Sequence, residues 1–245
     1  MPLHTMSTCI VTGAAAGNGL AIAELLQEQG HRVIAIDRSP VPEGAGSVRF
    51  CGDVLDDVII SQCFAAALEN GNNQVYLINN AGVTSPEFPQ TDATWNTTID
   101  VNLTAPFRWT REYAAHVTTN RITEGSVIFI GSLATATGFP RNPAYQASKA
   151  GIMGLTRSFA YDLGVYGIRV NCVSPGYIHT SMTNTSYTNP ALHESRRRHT
   201  LLRRWGQSKD VANAVGFLCG PASTYITGVN LPVDGGWLAC GLIED

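Results

Sequence analysis

Tyr145 and Lys149 are the two residues of this sequence whose types and spacing best suit acid–base chemistry. They lie four positions apart in the segment YQASK, and residues four apart share one face of an α-helix. A phenol titrates near pH ~10, and a neighbouring cation favours its phenolate, so a lysine beside Tyr145 would lower the pKa of that tyrosine. Lysine is also rare in the chain: Lys149 and Lys209 are the two lysines among 16 basic residues. Taken alone, the pair is more typical of a helix surface than of an active site.

A second group of residues is suited to binding a pyrophosphate. The segment TGAAAGNGL, residues 12–20, directly follows an apolar run and opens a helical stretch. Glycines in such a turn let the backbone approach a phosphate, whose charge then lies at the helix N-terminus. Asp37 ends the next apolar run, where a carboxylate can bind adenosine ribose hydroxyls and would repel a 2′-phosphate. The pattern predicts a dinucleotide site that prefers NAD to NADP, although the adjacent Arg38 would weaken that preference.

The elements that must position these residues alternate between strands and helices. Apolar runs rich in β-branched residues predict seven strands, at 8–12, 32–37, 48–54, 75–80, 126–132, 168–174 and 228–234. Amphipathic stretches predict helices at about 18–29, 56–70, 93–118, 146–165 and 208–219, with a weaker one near 190–201. We therefore expect an α/β fold: a single doubly wound Rossmann-type domain over residues 1–245, with a mostly parallel sheet of about seven strands.

Residues 176–205 interrupt this alternation and are predicted to form a substrate-lid insertion. The segment carries five of the chain's 14 arginines together with His199, namely Arg196, Arg197, Arg198, Arg203 and Arg204. Arginines over a pocket suit a carboxylate, phosphate or sulfonate. Consecutive arginines on a helix cannot all face one pocket, however, so a solvated helix face is the favoured interpretation.

Composition excludes several classes of partner. A net charge of −3 and a pI near 6.1 provide no basic surface for nucleic acid or an anionic membrane. The N-terminal segment MPLHTMST lacks the basic and apolar regions of a signal peptide, and no apolar run reaches the ~18 residues of a membrane span. The six cysteines lack metal-ligand spacing and are expected to be reduced core residues. We expect a cytoplasmic protein with no metal, nucleic-acid or membrane partner.

Together these motifs resemble the short-chain dehydrogenase/reductase family, and the resemblance covers nearly the whole chain. It rests on the TGxxxGxG turn, on the YxxxK pair and on further motifs in the same order: Asp53-Val54, Asn79-Asn80-Ala81-Gly82, Asn102 in DVNL, Ser132 after a strand, Pro175-Gly176 with Thr180, and VDGG at 233–236. Each motif can arise by chance, but their order along the chain is specific.

The resemblance implies a catalytic tetrad of Asn102, Ser132, Tyr145 and Lys149. Tyr145 would exchange a proton with the substrate oxygen, and Ser132 would hydrogen-bond the same oxygen. Lys149 would bind the nicotinamide ribose and lower the pKa of Tyr145, while Asn102 would position a water that relays protons. The implied cofactor residues are Gly13, Asn18, Gly19, Leu20, Asp37, Asp53, Val54, Asn80, Ala81, Gly82, Tyr145, Lys149, Pro175, Gly176, Ile178 and Thr180.

The sequence constrains the substrate much less than the cofactor. Ser132, Asn142 and Tyr145 are the predicted substrate-binding residues, and Arg141 is near enough in sequence to be a further candidate. We expect hydride transfer between NAD and a secondary alcohol or its ketone, such as a polyol, sugar derivative or hydroxy acid. A 3-oxoacyl-thioester reductase and a non-catalytic NAD-binding regulator are the alternatives. The resemblance also implies a homotetramer, and the apolar stretch 235–243 could be buried against a partner subunit or against its own domain.

Overall fold

The computed structural model describes residues 7–241, and its elements alternate along the chain. The strands are β1 (Thr8–Thr12), β2 (Arg32–Asp37), β3 (Val48–Cys51), β4 (Gln74–Asn79), β5 (Glu124–Ile130), β6 (Arg169–Pro175), β7 (Ile178–His179), β8 (Gly206–Gln207) and β9 (Asn230–Val233). The helices are α1 (Gly17–Glu28), α2 (Asp57–Ala67), α3 (Asp92–Ile99), α4 (Ala105–Thr118), α5 (Pro143–Gly164), α6 (Asn184–Thr188), α7 (Pro190–His199) and α8 (Ser208–Cys219). A π-helical turn, Asp100–Thr104, joins α3 to α4.

Seven of these strands form one parallel sheet in the order β3-β2-β1-β4-β5-β6-β9. The order reverses between β1 and β4, and in doubly wound sheets ligands bind outside the carboxyl ends of the strands at such a switch point. The prediction of a Rossmann-type α/β fold with a parallel, seven-stranded sheet is therefore confirmed. Within the described residues, β7 and β8 form a separate two-stranded sheet that links the two ends of segment 176–205.

Apolar side chains cover both faces of the sheet, as a sheet with helices on both sides requires. On one face Phe64 of α2 and Trp109 of α4 pack against strand residues such as Ile10. On the other face Leu26 of α1 and Val215 of α8 pack against residues such as Val11. Adjacent residues of β1 thus enter opposite cores, which is why the strand reads as an unbroken apolar run in the sequence.

Most predicted bounds differ from the structure by a few residues, and three of the differences affect the site. The single helix expected at 93–118 is divided by the π-helical turn at Asp100–Thr104. The strand expected at 48–54 ends at Cys51, and the helix expected at 146–165 already begins at Pro143. Proline fits the first position of a helix because its missing N–H would have no intrahelical partner there.

Most of the cysteines are core residues, as the sequence predicts. Cys9, Cys63, Cys172 and Cys219 are free thiols and buried as expected, whereas Cys51 is exposed at the end of β3 and Cys240 is half-buried. The described residues do not include residues 1–6, for which no signal peptide is predicted. They also do not include Leu242 and Ile243 of the apolar stretch 235–243. Within 7–241, no helix combines the length and the apolarity needed to cross a membrane.

Candidate active site

Ser132 and Tyr145 meet at the carboxyl end of β5. Ser132 follows this strand, and its Oγ accepts a hydrogen bond from the backbone N–H of Ala134, 3.2 Å away. Tyr145 lies in the first turn of α5, and its hydroxyl lies near the Ser132 side chain, which acts to lower the pKa of the phenol. The strand end and the helix start therefore bring two hydroxyl groups, 13 residues apart in the sequence, to one point of the cleft.

Lys149 lies one helical turn after Tyr145 and is 5% exposed. Its Nζ donates a hydrogen bond to the backbone carbonyl of Ile130, 2.8 Å away, and lies 5.7 Å from the centre of the Tyr145 ring. A methyl group placed on Gly82 would lie 3.7 Å from this Nζ and 3.3 Å from Oδ1 of Asn102. Lys149 and Asn102 therefore border the same small space beside Gly82.

The pKa of Tyr145 is shifted opposite to the sequence prediction. Burial of the hydroxyl raises this pKa above its usual value, and the interaction with the Ser132 side chain opposes the rise. Lys149 does not lower the pKa of Tyr145 by a comparable amount. Burial lowers the pKa of the lysine itself to about 8, so the lysine loses its proton before the phenol does. In this structure desolvation outweighs the attraction between the two groups, and the protonated phenol is the favoured form of Tyr145.

Asn102 lies in the π-helical turn and is fully buried. Its Oδ1 accepts a hydrogen bond from the backbone N–H of Val83, and its Nδ2 donates one to the carbonyl of the same residue, each 2.8 Å long. Nδ2 also lies 3.3 Å from Oγ of Ser148. The side chain thus holds the backbone just after Gly82, and its amide is used for that contact.

The glycine turn has the close packing that a dinucleotide cradle requires. Gly13 has a φ of 70°, and a methyl group there would lie 2.8 Å from Cα of Ala81. A methyl group on Gly19 would overlap the carbonyl oxygen of Gly13. Asn80 locks the turn because its Nδ2 donates hydrogen bonds to the carbonyls of Thr12 and Gly13. The cradle lies at the N-terminus of α1, which favours a bound pyrophosphate.

Asp37 is fixed at the end of β2 by the glycine turn itself. Its Oδ2 accepts a hydrogen bond from the backbone N–H of Ala15 at 3.0 Å, and its Oδ1 accepts one from Ser39 at 2.9 Å. Both oxygens retain lone pairs for a further donor. This carboxylate and the glycine turn fit the two ends of an adenosine diphosphate, so the residues present are suited to a nicotinamide dinucleotide.

One cleft of about 550 Å³ brings most of the predicted site residues together. Of the predicted cofactor and substrate residues it is lined by Gly13, Asn18, Gly19, Asp37, Asp53, Val54, Asn80, Ala81, Gly82, Ser132, Asn142, Tyr145, Lys149, Pro175, Gly176, Ile178 and Thr180. Leu20 is not among the lining residues, and its side chain packs against the core. Asn102 lies behind the cleft wall, and Arg141 is exposed outside it.

Sequence reasoning missed several residues of the cleft wall, among them Thr84, Phe139, Tyr177 and Met182. Phe139 and Tyr177 contact each other edge to face with ring centres 6.4 Å apart. Their signal in the sequence is position alone, because Phe139 lies between Ser132 and Tyr145, and Tyr177 directly follows Pro175-Gly176. Asn142 is buried in the same wall, where its Nδ2 donates to Oγ1 of Thr84 at 2.7 Å and its Oδ1 has no protein partner.

The segment 176–205 leaves the sheet after β6, and part of it lines the cleft. It contains α6 and α7, and aromatic contacts hold it together: Tyr187 packs on His179 with ring centres 3.6 Å apart and against Trp205 at 5.2 Å. Thr180 lies next to Gly17 of the glycine turn. The start of this segment therefore borders the predicted pyrophosphate site.

Comparison with known proteins gives matches over almost the full length. Residues 13–238 match a family model described as Enoyl-(Acyl carrier protein) reductase. The 3-oxoacyl-[acyl-carrier-protein] reductase FabG of Rickettsia felis is 36% identical, with 96% of this chain and 98% of the relative covered.

Two solved structures are similar in fold and contain different cofactors. A 4-hydroxyisoleucine dehydrogenase complexed with NADH superposes with a TM-score of 0.86 at 30% identity, covering 95% of this chain and 99% of that one. A candidate 2-deoxy-d-gluconate 3-dehydrogenase from Agrobacterium tumefaciens with bound NADP has a TM-score of 0.82 at 31% identity, covering 95% and 96%.

Proposed function

The chain belongs to the short-chain dehydrogenase/reductase family of oxidoreductases, and from this membership we propose that it transfers a hydride between NAD(H) and a secondary alcohol or its ketone. The observation that carries the proposal is that Ser132, Tyr145 and Lys149 line one cleft, in which the Ser132 side chain acts on the Tyr145 hydroxyl. A hydroxyl pair beside a buried amine suits proton exchange with a substrate oxygen.

In the proposed mechanism Tyr145 is the acid and base. During reduction its hydroxyl gives a proton to the carbonyl oxygen of the substrate, and during alcohol oxidation its phenolate takes that proton back. Ser132 hydrogen-bonds the same oxygen and holds it against Tyr145. The bound cofactor supplies or accepts the hydride at the carbon, so the protein contributes orientation and electrostatics.

Lys149 and Asn102 support this exchange from behind Tyr145. The Lys149 ammonium faces the space beside Gly82, where it can donate to a ribose hydroxyl of the nicotinamide nucleoside while it remains bonded to Ile130. Asn102 keeps Val83, and with it the segment that borders the cofactor, in place through its two hydrogen bonds. The side-chain amide of Asn102 is already hydrogen-bonded to Val83. A proton-relaying water would therefore bind to another group of the π-helical turn.

The proposed cofactor is NAD, and Asp37 is the supporting residue. Its carboxylate is held by Ala15 and Ser39 at the end of β2, where it can accept hydrogen bonds from both ribose hydroxyls and would repel a 2′-phosphate. Gly13, Asn18 and Gly19 would hold the pyrophosphate, and Asp53 with Val54 would border the adenine. Pro175, Gly176, Ile178 and Thr180 would border the nicotinamide.

The proposed substrates are polyols, sugar derivatives or hydroxy acids, admitted under residues 176–205 acting as a lid on a single domain. The structural neighbours named for 4-hydroxyisoleucine and 2-deoxy-d-gluconate support this range. Reduction of a 3-oxoacyl thioester is the second candidate, favoured by the name of the Rickettsia relative. Asp37 would repel the 2′-phosphate of NADPH. It therefore favours the first candidate wherever reduction of the acyl thioester depends on NADPH.

We also propose a cytoplasmic homotetramer. The free thiols of Cys9, Cys51, Cys63, Cys172 and Cys219 suit a reducing compartment. Phe107 on α4 and Tyr161 on α5 are exposed apolar groups on neighbouring helices, and such a patch is suited to contact between subunits.

A substrate panel with one matched pair of variants tests the proposed function. Polyols, sugars, hydroxy acids and cyclic alcohols are assayed by the appearance of NADH, and a 3-oxoacyl thioester by the loss of NADH or NADPH. Tyr145→Phe should lower kcat by at least about 100-fold, the lower bound for losing a general acid–base, while NADH binding persists. Tyr161→Phe makes the same change on the same helix, outside the cleft, and should leave kcat unchanged. Equal turnover by both variants would disprove the assignment of Tyr145.

A further inference from the structure

The arginines of residues 176–205 differ in their partners. Arg197 forms two hydrogen bonds of 2.7 Å with the carboxylate of Glu194, and Arg204 pairs in the same way with Asp210 at 2.8 and 2.9 Å. Arg203 donates to the backbone carbonyl of Arg198 at 2.7 Å. The positive charges of Arg197 and Arg204 are therefore each paired with a carboxylate.

Arg196 instead faces the cleft. It is a lining residue, and its guanidinium carbon lies 4.8 Å from the centre of the Tyr177 ring. Tyr177 in turn contacts Phe139, on the loop between Ser132 and Tyr145. Within residues 7–241 the Arg196 side chain makes no hydrogen bond or ion pair, and its Nε is shielded from solvent without an acceptor.

This geometry leaves the hydrogen-bonding capacity of Arg196 unused. The guanidinium carbon lies over the Tyr177 ring, and within residues 7–241 the N–H donors of the side chain have no acceptor. A buried donor without an acceptor is unfavourable and uncommon in native structures. The contact with Tyr177 also restricts the Arg196 side chain, so less side-chain entropy is lost when an anion binds.

We propose that Arg196 binds a carboxylate of the substrate, so that the enzyme acts on hydroxy acids and oxo acids in preference to neutral alcohols; this inference rests on the proposed function. A carboxylate matches the planar fork of one guanidinium with two parallel hydrogen bonds. The other charged residues of the cleft wall belong to the cofactor site: Lys149 faces the space beside Gly82, and Asp37, Arg38 and Asp53 border the adenosine end. Arg196 is therefore the cation on the substrate side.

The geometry also gives the direction in which the substrate lies. Its reacting carbon must be next to Ser132 and Tyr145, and its carboxylate points across Phe139 towards Tyr177 and Arg196. A phosphate monoester carries more charge than one arginine neutralises, and it would favour a second cation at the same place. The single guanidinium thus favours a carboxylate over a phosphate.

Paired substrates that differ in charge alone give the activity test. Hydroxy carboxylates with the hydroxyl at carbon 2, 3 or 4 are compared with their amides in NADH formation. For wild type we expect kcat/KM at least tenfold higher for the best carboxylate than for its amide. Arg196→Gln should remove that preference, Arg196→Lys should retain part of it, and Arg197→Gln, the neighbouring change on α7, should keep it. Retention of the preference by Arg196→Gln, with normal thermal unfolding, would overturn the proposal.

Equilibrium binding separates this inference from the proposed function. The Tyr145→Phe protein with NADH is titrated calorimetrically with 3-hydroxybutyrate and with 3-hydroxybutyramide, with and without Arg196→Gln. Carboxylate binding that depends on Arg196 supports the inference even if no alcohol is oxidised, in which case the proposed reaction alone fails. Equal affinity for acid and amide, alongside turnover of neutral alcohols, would refute the inference alone. Tighter binding of glycerol phosphate than of the carboxylates would also refute it.

Discussion

The Nζ of Lys149 donates a 2.8 Å hydrogen bond to the backbone carbonyl of Ile130 and thereby fixes α5 to the end of β5. This contact places the Tyr145 phenol beside Ser132. The ammonium is almost fully buried, and loss of hydration lowers its pKa from 10.5 to about 8. The lysine that supports the site therefore opposes folding whenever it is charged.

Lys149→Met should stabilise the cofactor-free protein most strongly below pH 8. Below that value both states of the wild type bind the lysine proton and the desolvation penalty is complete. Between pH 8 and 10.5 the unfolded state retains a proton that the folded state has lost, so wild-type stability rises relative to the variant, by up to about 1.4 kcal/mol per pH unit. In urea unfolding, the free energy of unfolding of Lys149→Met should exceed that of wild type by about 2 kcal/mol less at pH 9.5 than at pH 7.

The control for this effect is the other lysine. Lys209 is exposed at the start of α8, so Lys209→Met removes a lysine without removing a buried charge and should not reproduce the stabilisation expected of Lys149→Met. A stability difference for Lys149→Met that stays constant from pH 7 to pH 9.5 would contradict the depressed lysine pKa.

The parts of the fold predicted from sequence are those set by local pattern. β1 and β2 span the predicted residues, because a strand covered on both faces is an uninterrupted apolar run. The π-helical turn at Asn102 was missed because the apolar period hardly changes when one residue is inserted into a helix. The different roles of Arg196 and Arg197 were not predictable either. Adjacent arginines have the same local pattern, and the rotation of α7, which packs on Trp205 through His193, decides which one faces the cleft.

Asp37→Asn should change the cofactor preference with little change in shape. Removing the negative charge ends the repulsion of a 2′-phosphate, whereas the amide oxygen can still accept from Ala15. We expect the ratio of kcat/KM with NADP to that with NAD to rise at least about tenfold, which corresponds to ~1.4 kcal/mol. Fluorescence titration with NADH and NADPH measures the same preference without turnover.

Glu43→Gln provides the matched control for Asp37→Asn, because Glu43 is an exposed acid that follows β2 but does not line the cleft. Its removal changes the net charge equally and should leave the ratio unchanged. If wild type already binds NADPH as tightly as NADH, the assignment of NAD from Asp37 is wrong.

The apolar surface of α5 should be required for assembly. Tyr161 and Val165 are 85% and 84% exposed and lie one turn apart. Two aspartates there would place charges in an apolar contact between subunits, so the Tyr161→Asp/Val165→Asp variant should sediment as a smaller species than a tetrameric wild type. Tyr225→Asp, a change at a fully exposed residue outside α5, should retain the wild-type mass. Equal mass for the double variant and wild type would place the interface elsewhere.

Asn102→Ala should weaken both folding and cofactor binding. It leaves the N–H and carbonyl of Val83 without the two 2.8 Å hydrogen bonds that hold them, and unpaired buried polar groups cost about 1–3 kcal/mol. Because Val83 follows the residues that border the cofactor, its displacement should also raise the Kd for NADH.

Asn171→Ala separates the two effects of Asn102→Ala. Asn171 is also fully buried, and its amide bonds the carbonyl of Ile226 at 2.9 Å and the N–H of Val229 at 3.3 Å, on the far side of β6. It should lose stability by a similar amount and keep the wild-type Kd for NADH, measured by fluorescence. A loss of kcat in Asn102→Ala at unchanged stability and unchanged Kd would instead mean that Asn102 acts on proton transfer, and that its contact with Val83 is dispensable.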